Sequence, residues 1–303
     1  MSQARTTADP PRGFGRRTYL AVGHVTVDVL PGGERRPGGT ALYSALQAAR
    51  LGLDATIFTR GRPDEIRALL GTLADEVELI VEPAPATTTL QTEGTGERRR
   101  QRVLAWAGPI EAPALPGAHI LHLAPVAAEL DTAPEGAWPF VGLTPQGLAR
   151  AWSEPANEIE PRQLSQNALA LFDHCDAVVL SREEREACEQ GIARARTRGA
   201  LIAVTAAEAE TLLLPGGAGP LRIAVSRVVD SADDLGAGDV WAAALFVALA
   251  GGAPPGEAAA LAGVAASLRL RGSGPAAIAT RAEIERQSST GTPSSPVSSS
   301  GSM

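Results

Sequence analysis

The stretch Asp233-Asp234-Leu235-Gly236-Ala237-Gly238-Asp239 sets two glycines and a carboxylate at the mouth of an almost wholly apolar run, "VWAAALFVALA" (240–250). Glycine permits backbone conformations that a side chain would forbid. Ahead of a helix, that freedom lets the N–H groups of Gly236, Ala237 and Gly238 converge on one cavity at the positive end of the helix dipole. Such a cavity suits a phosphate, or charge developing on one. Asp239, in the first turn, is then placed to take the proton of a hydroxyl brought to that phosphate. One short segment can supply both charge stabilisation and a base. Aspartate is also a favoured helix cap with glycine common beside it, so GAGD on its own reads as a helix start as well.

Other reactive side chains suggest less. His119 and His122 lie three apart in a strand-like run, which puts them on opposite faces and argues against a shared metal. His174, Cys175 and Cys188 lack zinc-ligand spacing. All 27 basic residues are arginine. The absence of lysine excludes a Walker-A loop, a protein-kinase strand lysine, and Schiff-base or pyridoxal chemistry. A net charge of −7 argues against a nucleic-acid partner. Two cysteines without a CxxC pattern suit a reducing compartment. The N-terminus lacks the apolar core of a secretory signal, and the longest apolar run is too short to span a bilayer. The expected setting is cytoplasmic, without membrane association.

The chemistry needs a scaffold, and the pattern predicts α/β with a mainly parallel sheet. Apolar, β-branched runs mark strands at 18–30, 55–60, 119–124, 176–181, 200–205, 210–215 and 221–230. Helical spacing marks 40–52, closed by Gly52, and also "DEIRALLGTL", 182–196, 237–250 and 256–270. The segment 87–107, rich in Thr with a Gly-Thr-Gly centre, predicts a β-hairpin. Residues 1–17 read as a disordered N-terminal arm and 287–303 as a disordered Ser/Gly/Pro-rich tail. The folded unit is expected over 18–286. Strand order is not legible.

With these residues in place, the chain resembles the PfkB or ribokinase-like family of ATP-dependent carbohydrate and nucleoside kinases. Residues 233–239 resemble the family's D-T-x-G-A-G-D signature. "GGTALYSALQAARLG" (38–52) resembles its N-terminal signature, a Gly-Gly followed by a helix ending in Arg-Leu-Gly. "LRLRGSGPAAIATRAEIE" (268–285) is similar to its closing region. The resemblance implies a central, mainly parallel sheet flanked by helices, with a small β lid over the substrate. It implies transfer of the γ-phosphoryl of Mg²⁺-bound ATP to an alcohol of a sugar, cyclitol or nucleoside, by a monomer or homodimer. Asp239 would be the base, and Gly236, Ala237 and Gly238 the anion hole. Asp28, matching an Asp at the end of the first strand, would hold acceptor hydroxyls, with Gly38 and Gly39 shaping that site. Thr205 and Ser181 would meet the nucleotide, and Glu184 would order Mg²⁺.

Several positions depart from the family pattern. Ser181 replaces a strand-end Asn, and Ser181 with Glu184 also fits a capping box. The nucleotide-loop glycines of Thr-x-Gly-x-x-Gly are Ala207 and Glu210, and an acid there suits ATP only if it points away. This loss motivates the alternative of a catalytically degenerate binding or regulatory protein on the same fold. Tyr43 replaces a substrate-facing Asn and fits acceptor contact or core packing. Nine residues between Asp28 and Gly38 imply a reduced lid, with the hairpin at 87–107 supplying the rest. Arg98, Arg99, Arg100 and Arg102 read first as a solvated strand face and, more sharply, as an anion-binding rim. Arg150, at the end of the family-like loop "GLTPQGLAR" (142–150), fits a substrate contact or, by preference, a surface carboxylate.

Overall fold

The computed structural model describes residues 17–95, 98–111, 115–206, 210–217, 219–224 and 233–290. The expected N-terminal arm up to residue 16, the tail from 291 and the loop position Ala207 lie outside the described residues.

In chain order the strands are β1 (Thr18–Val22), β2 (Thr26–Val29), β3 (Arg35–Gly38), β4 (Asp54–Gly61), β5 (Glu78–Pro83), β6 (Thr89–Glu93), β7 (Arg100–Ala105), β8 (Ile120–Leu123), β9 (Phe140–Leu143), β10 (Arg150–Ala151), β11 (Glu160–Pro161), β12 (Ala177–Ser181), β13 (Leu201–Thr205), β14 (Thr211–Leu214) and β15 (Leu221–Ile223). The helices are α1 (Thr40–Arg50), α2 (Pro63–Leu70), α3 (Gln166–Leu171), α4 (Glu189–Thr197), α5 (Ala237–Ala250), α6 (Pro255–Arg269) and α7 (Arg281–Thr290). The main sheet has the order β15-β14-β13-β12-β9-β8-β1-β4-β5. It is parallel from β13 to β5, and β14 pairs antiparallel with both its neighbours.

Strands buried on both faces carry unbroken apolar runs. In β1, Tyr19 and Ala21 join the core under α1, α5 and α6, while Leu20 and Val22 join the opposite core with Phe172 and Ile202. Helix α5 is buried from Val240 to Phe246 and half-buried from Val247 to Ala250, which accounts for its apolar composition all round. Its Phe246 lies so close to Gly142 that a Cβ there would come within 2.4 Å of the ring.

The run 18–30, expected as one strand, is two. The chain leaves the main sheet at Gly23, where a Cβ would stand 2.1 Å from the Ala124 carbonyl oxygen. It then enters a second sheet of order β3-β2-β6-β7. Asp28 therefore lies on β2 of this small sheet and not at the end of the first strand. The hairpin at 87–107 forms β6 and β7, and the short β2–β3 hairpin completes the lid. The outer edge of β7 is engaged by the chain itself: Val103 N–H donates to Asn157 O at 2.9 Å and Ile159 N–H to Gln101 O at 2.8 Å.

Two other expectations shift. Residues 182–188 are turns, and the helix expected from 182 begins at Glu189. Glu184 folds back instead, accepting Ser181 N–H at 2.8 Å. Residues 287–290, expected in the tail, instead close α7, with Ser288 and Ser289 donating to the Ile284 and Glu285 carbonyls at 2.9 Å. Among the described residues no helix is long and apolar enough to cross a membrane.

Candidate active site

The C-terminal ends of the parallel strands and the underside of the small sheet enclose a cleft of about 1500 Å³. Ligands of open α/β sheets bind at this edge. Ser181 and Glu184 reach the cleft from the end of β12, Thr205 from β13, and Arg150 from the start of β10. Asp28 and Arg98 to Arg100 come from the small sheet, and Gly39, Thr40 and Tyr43 from the start of α1. Gly236 to Asp239 open α5 on the same space.

Gly236 has φ +77°, the left-handed conformation that glycine adopts without strain. A Cβ there would also stand 2.2 Å from the Tyr43 ring. The first i→i−4 bond of α5 runs from Val240 N–H to Gly236 O. The N–H groups of Gly238 and Asp239 precede it and face no helical carbonyl. Ala237 N–H is directed to Asp234 O at 3.3 Å, and among the described residues no backbone carbonyl takes the Gly236 N–H. No atom lies within 4 Å of a Cβ built on Gly238, leaving an approach open beside them.

Burial pushes the Asp239 carboxyl up to about 6, against the opposing pull of the Thr40 hydroxyl, with Glu184 adding to the rise. Asp28 is buried, accepts Thr26 Oγ1–H at 2.7 Å, and is also raised by burial to about 6. Gly38 makes room for it: a Cβ at residue 38 would fall 2.1 Å from Asp28 Oδ2. At Gly39, φ +96° and the His24 carbonyl oxygen, 2.2 Å from a Cβ, leave space for glycine alone. Gly38→Ala is expected to displace the Asp28 carboxylate and cost about 1–3 kcal/mol. Acceptor KM should rise with nucleotide affinity unchanged, which steady-state kinetics and a melting curve check.

Tyr43 is buried, with its ring against Gly236 and under the Arg269 guanidinium, 5.4 Å from the ring centroid. It supports the turn as well as lining the cleft. Burial raises Glu184, and Ser181 N–H opposes the rise, so the capping reading of this pair is realised in part. Thr205 Oγ1–H donates to Leu180 O at 3.3 Å.

The chain is 30% identical over 279 residues to a fructokinase of Klebsiella pneumoniae, spanning 80% of this chain and 87% of that one. It belongs to the ribokinase-like (PfkB) family of carbohydrate and nucleoside kinases. No family model matches it. A fructokinase double mutant from Vibrio cholerae O395, bound to fructose, ADP and potassium ion, has the same fold. Its TM-score is 0.72 at 20% identity, over 91% of this chain and 99% of that one. A pyrophosphate-dependent kinase in the ribokinase family, complexed with a pyrophosphate analog and myo-inositol, gives 0.71 at 19% identity, over 89% and 99%.

Within this ribokinase-like kinase the departures take on physical meaning. Glu210 is exposed and pairs with Arg222 at 3.5 Å, and it does not line the cleft. The acid that stands where the family has glycine is turned to Arg222 and not into the cleft. Arg150 is not on the surface as expected. It lines the cleft together with Asp28, Glu184 and Asp239. Arg98, Arg99 and Arg100 line the cleft too, and Arg102 does not. Arg99 pairs with Asp234 and Arg36 with Asp233 at 3.1 Å, tying the small sheet to the glycine turn.

Proposed function

We propose that the protein transfers the γ-phosphoryl group of ATP to an alcohol of a sugar, cyclitol or nucleoside, with Asp239 as base. The observation that carries this reading is the shared cleft. It holds the N–H groups of Gly238 and Asp239, which have no acceptor among the described residues, the Asp239 carboxylate beside them, and Asp28 opposite. Helix N-terminal N–H groups would take phosphate oxygens. Asp28 would orient the acceptor by its hydroxyls, and Asp239 would accept the proton of the reacting one.

The residues fit a nucleotide and a metal. Small residues of α6 (Ala259, Gly263, Ala266, Ser267) line the cleft beside Trp241 and leave room for a base. Glu184 spends Oε2 on Ser181 N–H. Among the described residues no group of three His, Cys, Asp or Glu could hold a metal. That donor set suits Mg²⁺, which keeps its waters and binds one or two carboxylates together with phosphates. When bound, Mg²⁺ would neutralise charge on the phosphates.

The test is ADP release from ATP with Mg²⁺ across sugars, cyclitols and nucleosides, with Asp239→Asn in parallel. Acceptor-dependent ADP from the wild type, lost in the variant, is the expected result. ADP release by the variant at the wild-type rate would remove Asp239 from the role.

A further inference from the structure

The small sheet has an added strand that reaches it from outside. Between β10 and β11, residues 157–159 run antiparallel to β7, bonded through Asn157 O and Ile159 N–H, with Arg102 facing Glu158 across the pair. The segment is fixed at its foot. Arg150 and Ala151 pair with Pro161 and Glu160, and Arg162 donates its N–H to Ala149 O at 2.8 Å and its Nε–H to Leu148 O at 3.1 Å. Trp152 meets the Trp106 ring edge-on, with centroids 5.8 Å apart. Paired residues of neighbouring strands point to the same face. Asp28 pairs with Leu90, and Leu90 with Val103. Ile159 stands beside Glu158 as Gln101 stands beside Arg102, so Ile159, Gln101 and Val103 share that face too. The face turned to the cleft therefore changes character across its width, from Thr26 and Asp28 on β2 to Leu90 on β6 and Ile159 on the added strand. Val126 continues the apolar part, packing with Leu90, Val103 and Ile159.

We propose that the acceptor is a nucleoside, and that Ile159 is a specificity-determining residue that contacts its nucleobase. The proposal rests on the phosphotransfer reading above. A free hexose or a cyclitol carries hydroxyls all round its ring, and those facing Leu90, Val126 and Ile159 would lose water without gaining a partner. A nucleoside divides as the cleft does. Its 2′,3′-diol suits the Asp28 carboxylate, whose two oxygens accept hydrogen bonds. Its flat nucleobase suits the apolar part. The polar edge of the nucleobase meets Gln101, whose Nε2–H is given to Thr92 Oγ1 at 3.0 Å, leaving Oε1 to accept. The hydroxyl on C5′ is the one left to reach Asp239. Its oxygen bonds to phosphorus as the bond from phosphorus to the bridging oxygen of ATP breaks. That bond's electron pair leaves with ADP, and the hydroxyl proton passes to Asp239. The products are a nucleoside 5′-monophosphate and ADP.

The experiment compares wild type, Ile159→Thr and Ile159→Leu with adenosine, guanosine, cytidine, uridine, ribose, fructose and myo-inositol. It measures ADP release from ATP with Mg²⁺, calorimetric binding of each acceptor, and melting temperature. Wild-type kcat/KM for at least one nucleoside should exceed that for ribose, which has a hydroxyl in place of the nucleobase, by about 10²-fold. Ile159→Thr keeps the β-branched shape that suits a strand. It should raise the nucleoside KM by about 10-fold, with nucleoside kcat and ribose binding nearly unchanged, and Ile159→Leu should keep most of the wild-type preference. Ribose, fructose or myo-inositol used as well as every nucleoside would overturn the proposal, and that comparison needs no variant. A KM raised equally for nucleoside and ribose would reduce Ile159 to a support of the small sheet and overturn its role. A wild type that phosphorylates none of these acceptors would instead sink the phosphotransfer reading, and calorimetric binding of nucleoside against ribose would still decide the acceptor class.

Discussion

Asp239→Asn is expected to lower kcat by about 10²–10⁴-fold, the range of general-base catalysis, while ATP affinity changes little. The amide keeps the shape of the side chain and the N–H donors of Gly238 and Asp239, but it cannot take a proton. Burial pushes the Asp239 carboxyl up to about 6, and a base acts only when ionised. Wild-type kcat should therefore fall as pH drops through about 6, and the variant should lose that limb. Asp28 is raised to about 6 as well, so its protonation should appear in kcat/KM through weaker acceptor binding. The same shift fixes a sign for stability. A carboxyl whose folded pKa lies above the unfolded value of 3.8 favours the fold at low pH, and this contribution is lost as pH rises through about 6. At pH 8 the ionised Asp239 should cost the fold up to about 3 kcal/mol. Asp239→Asn should then melt above wild type at pH 8, and the gap should close towards pH 4. A variant melting below wild type at pH 8 would contradict the assignment. Activity would here be held at the expense of stability, as is common at catalytic sites.

What the sequence revealed was local, and what it hid was long-range. The glycine turn and α5 were legible because the Gly-Ala-Gly-Asp turn and the apolar run share one short window. Gly38 and Gly39 were legible for the same reason, though the cause at Gly38, the Asp28 carboxylate occupying the space of a Cβ, needs the fold. The break at Gly23 was hidden because β-branched residues run through both β1 and β2 and both are largely buried, and residue type does not record a change of sheet. The delayed start of α4 was hidden because Glu184 prefers the Ser181 N–H to a place in a helix. Arg150 was only half legible: at the end of a strand-end loop it fits substrate or surface, and its place in the cleft shows only when β9 and β12 are laid side by side. Glu210 looked like damage to the nucleotide loop, and only its pairing with Arg222 shows that it faces away.

Asp233→Ala is expected to destabilise the protein by about 3–5 kcal/mol, the usual cost of stripping the partner from a buried charge. Arg269, on the last turn of α6, is fully buried. Its NH2 donates to Leu235 O at 2.7 Å and its NH1 to Gly272 O at 2.9 Å, and Asp233 Oδ2 lies 3.4 Å from NH2. The same carboxylate accepts Gly274 N–H at 2.8 Å and Leu235 N–H at 3.1 Å, and pairs with Arg36 of β3 at 3.1 Å. One side chain thus joins the small sheet, the end of α6 and the turn that opens α5. The chain of contacts continues from Arg269 to the Tyr43 ring, and from that ring to Gly236. Loss of Asp233 should therefore lower the urea midpoint and weaken phosphate binding together, although Asp233 itself does not line the cleft. A double-mutant cycle with Arg269→Met separates the pair from its surroundings, because removing both charges takes away the uncompensated one. The double variant should be more stable than the sum of the two single losses. Strict additivity would mean that Arg269 finds its compensation elsewhere, and that the glycine turn is held by Tyr43 and its backbone bonds alone.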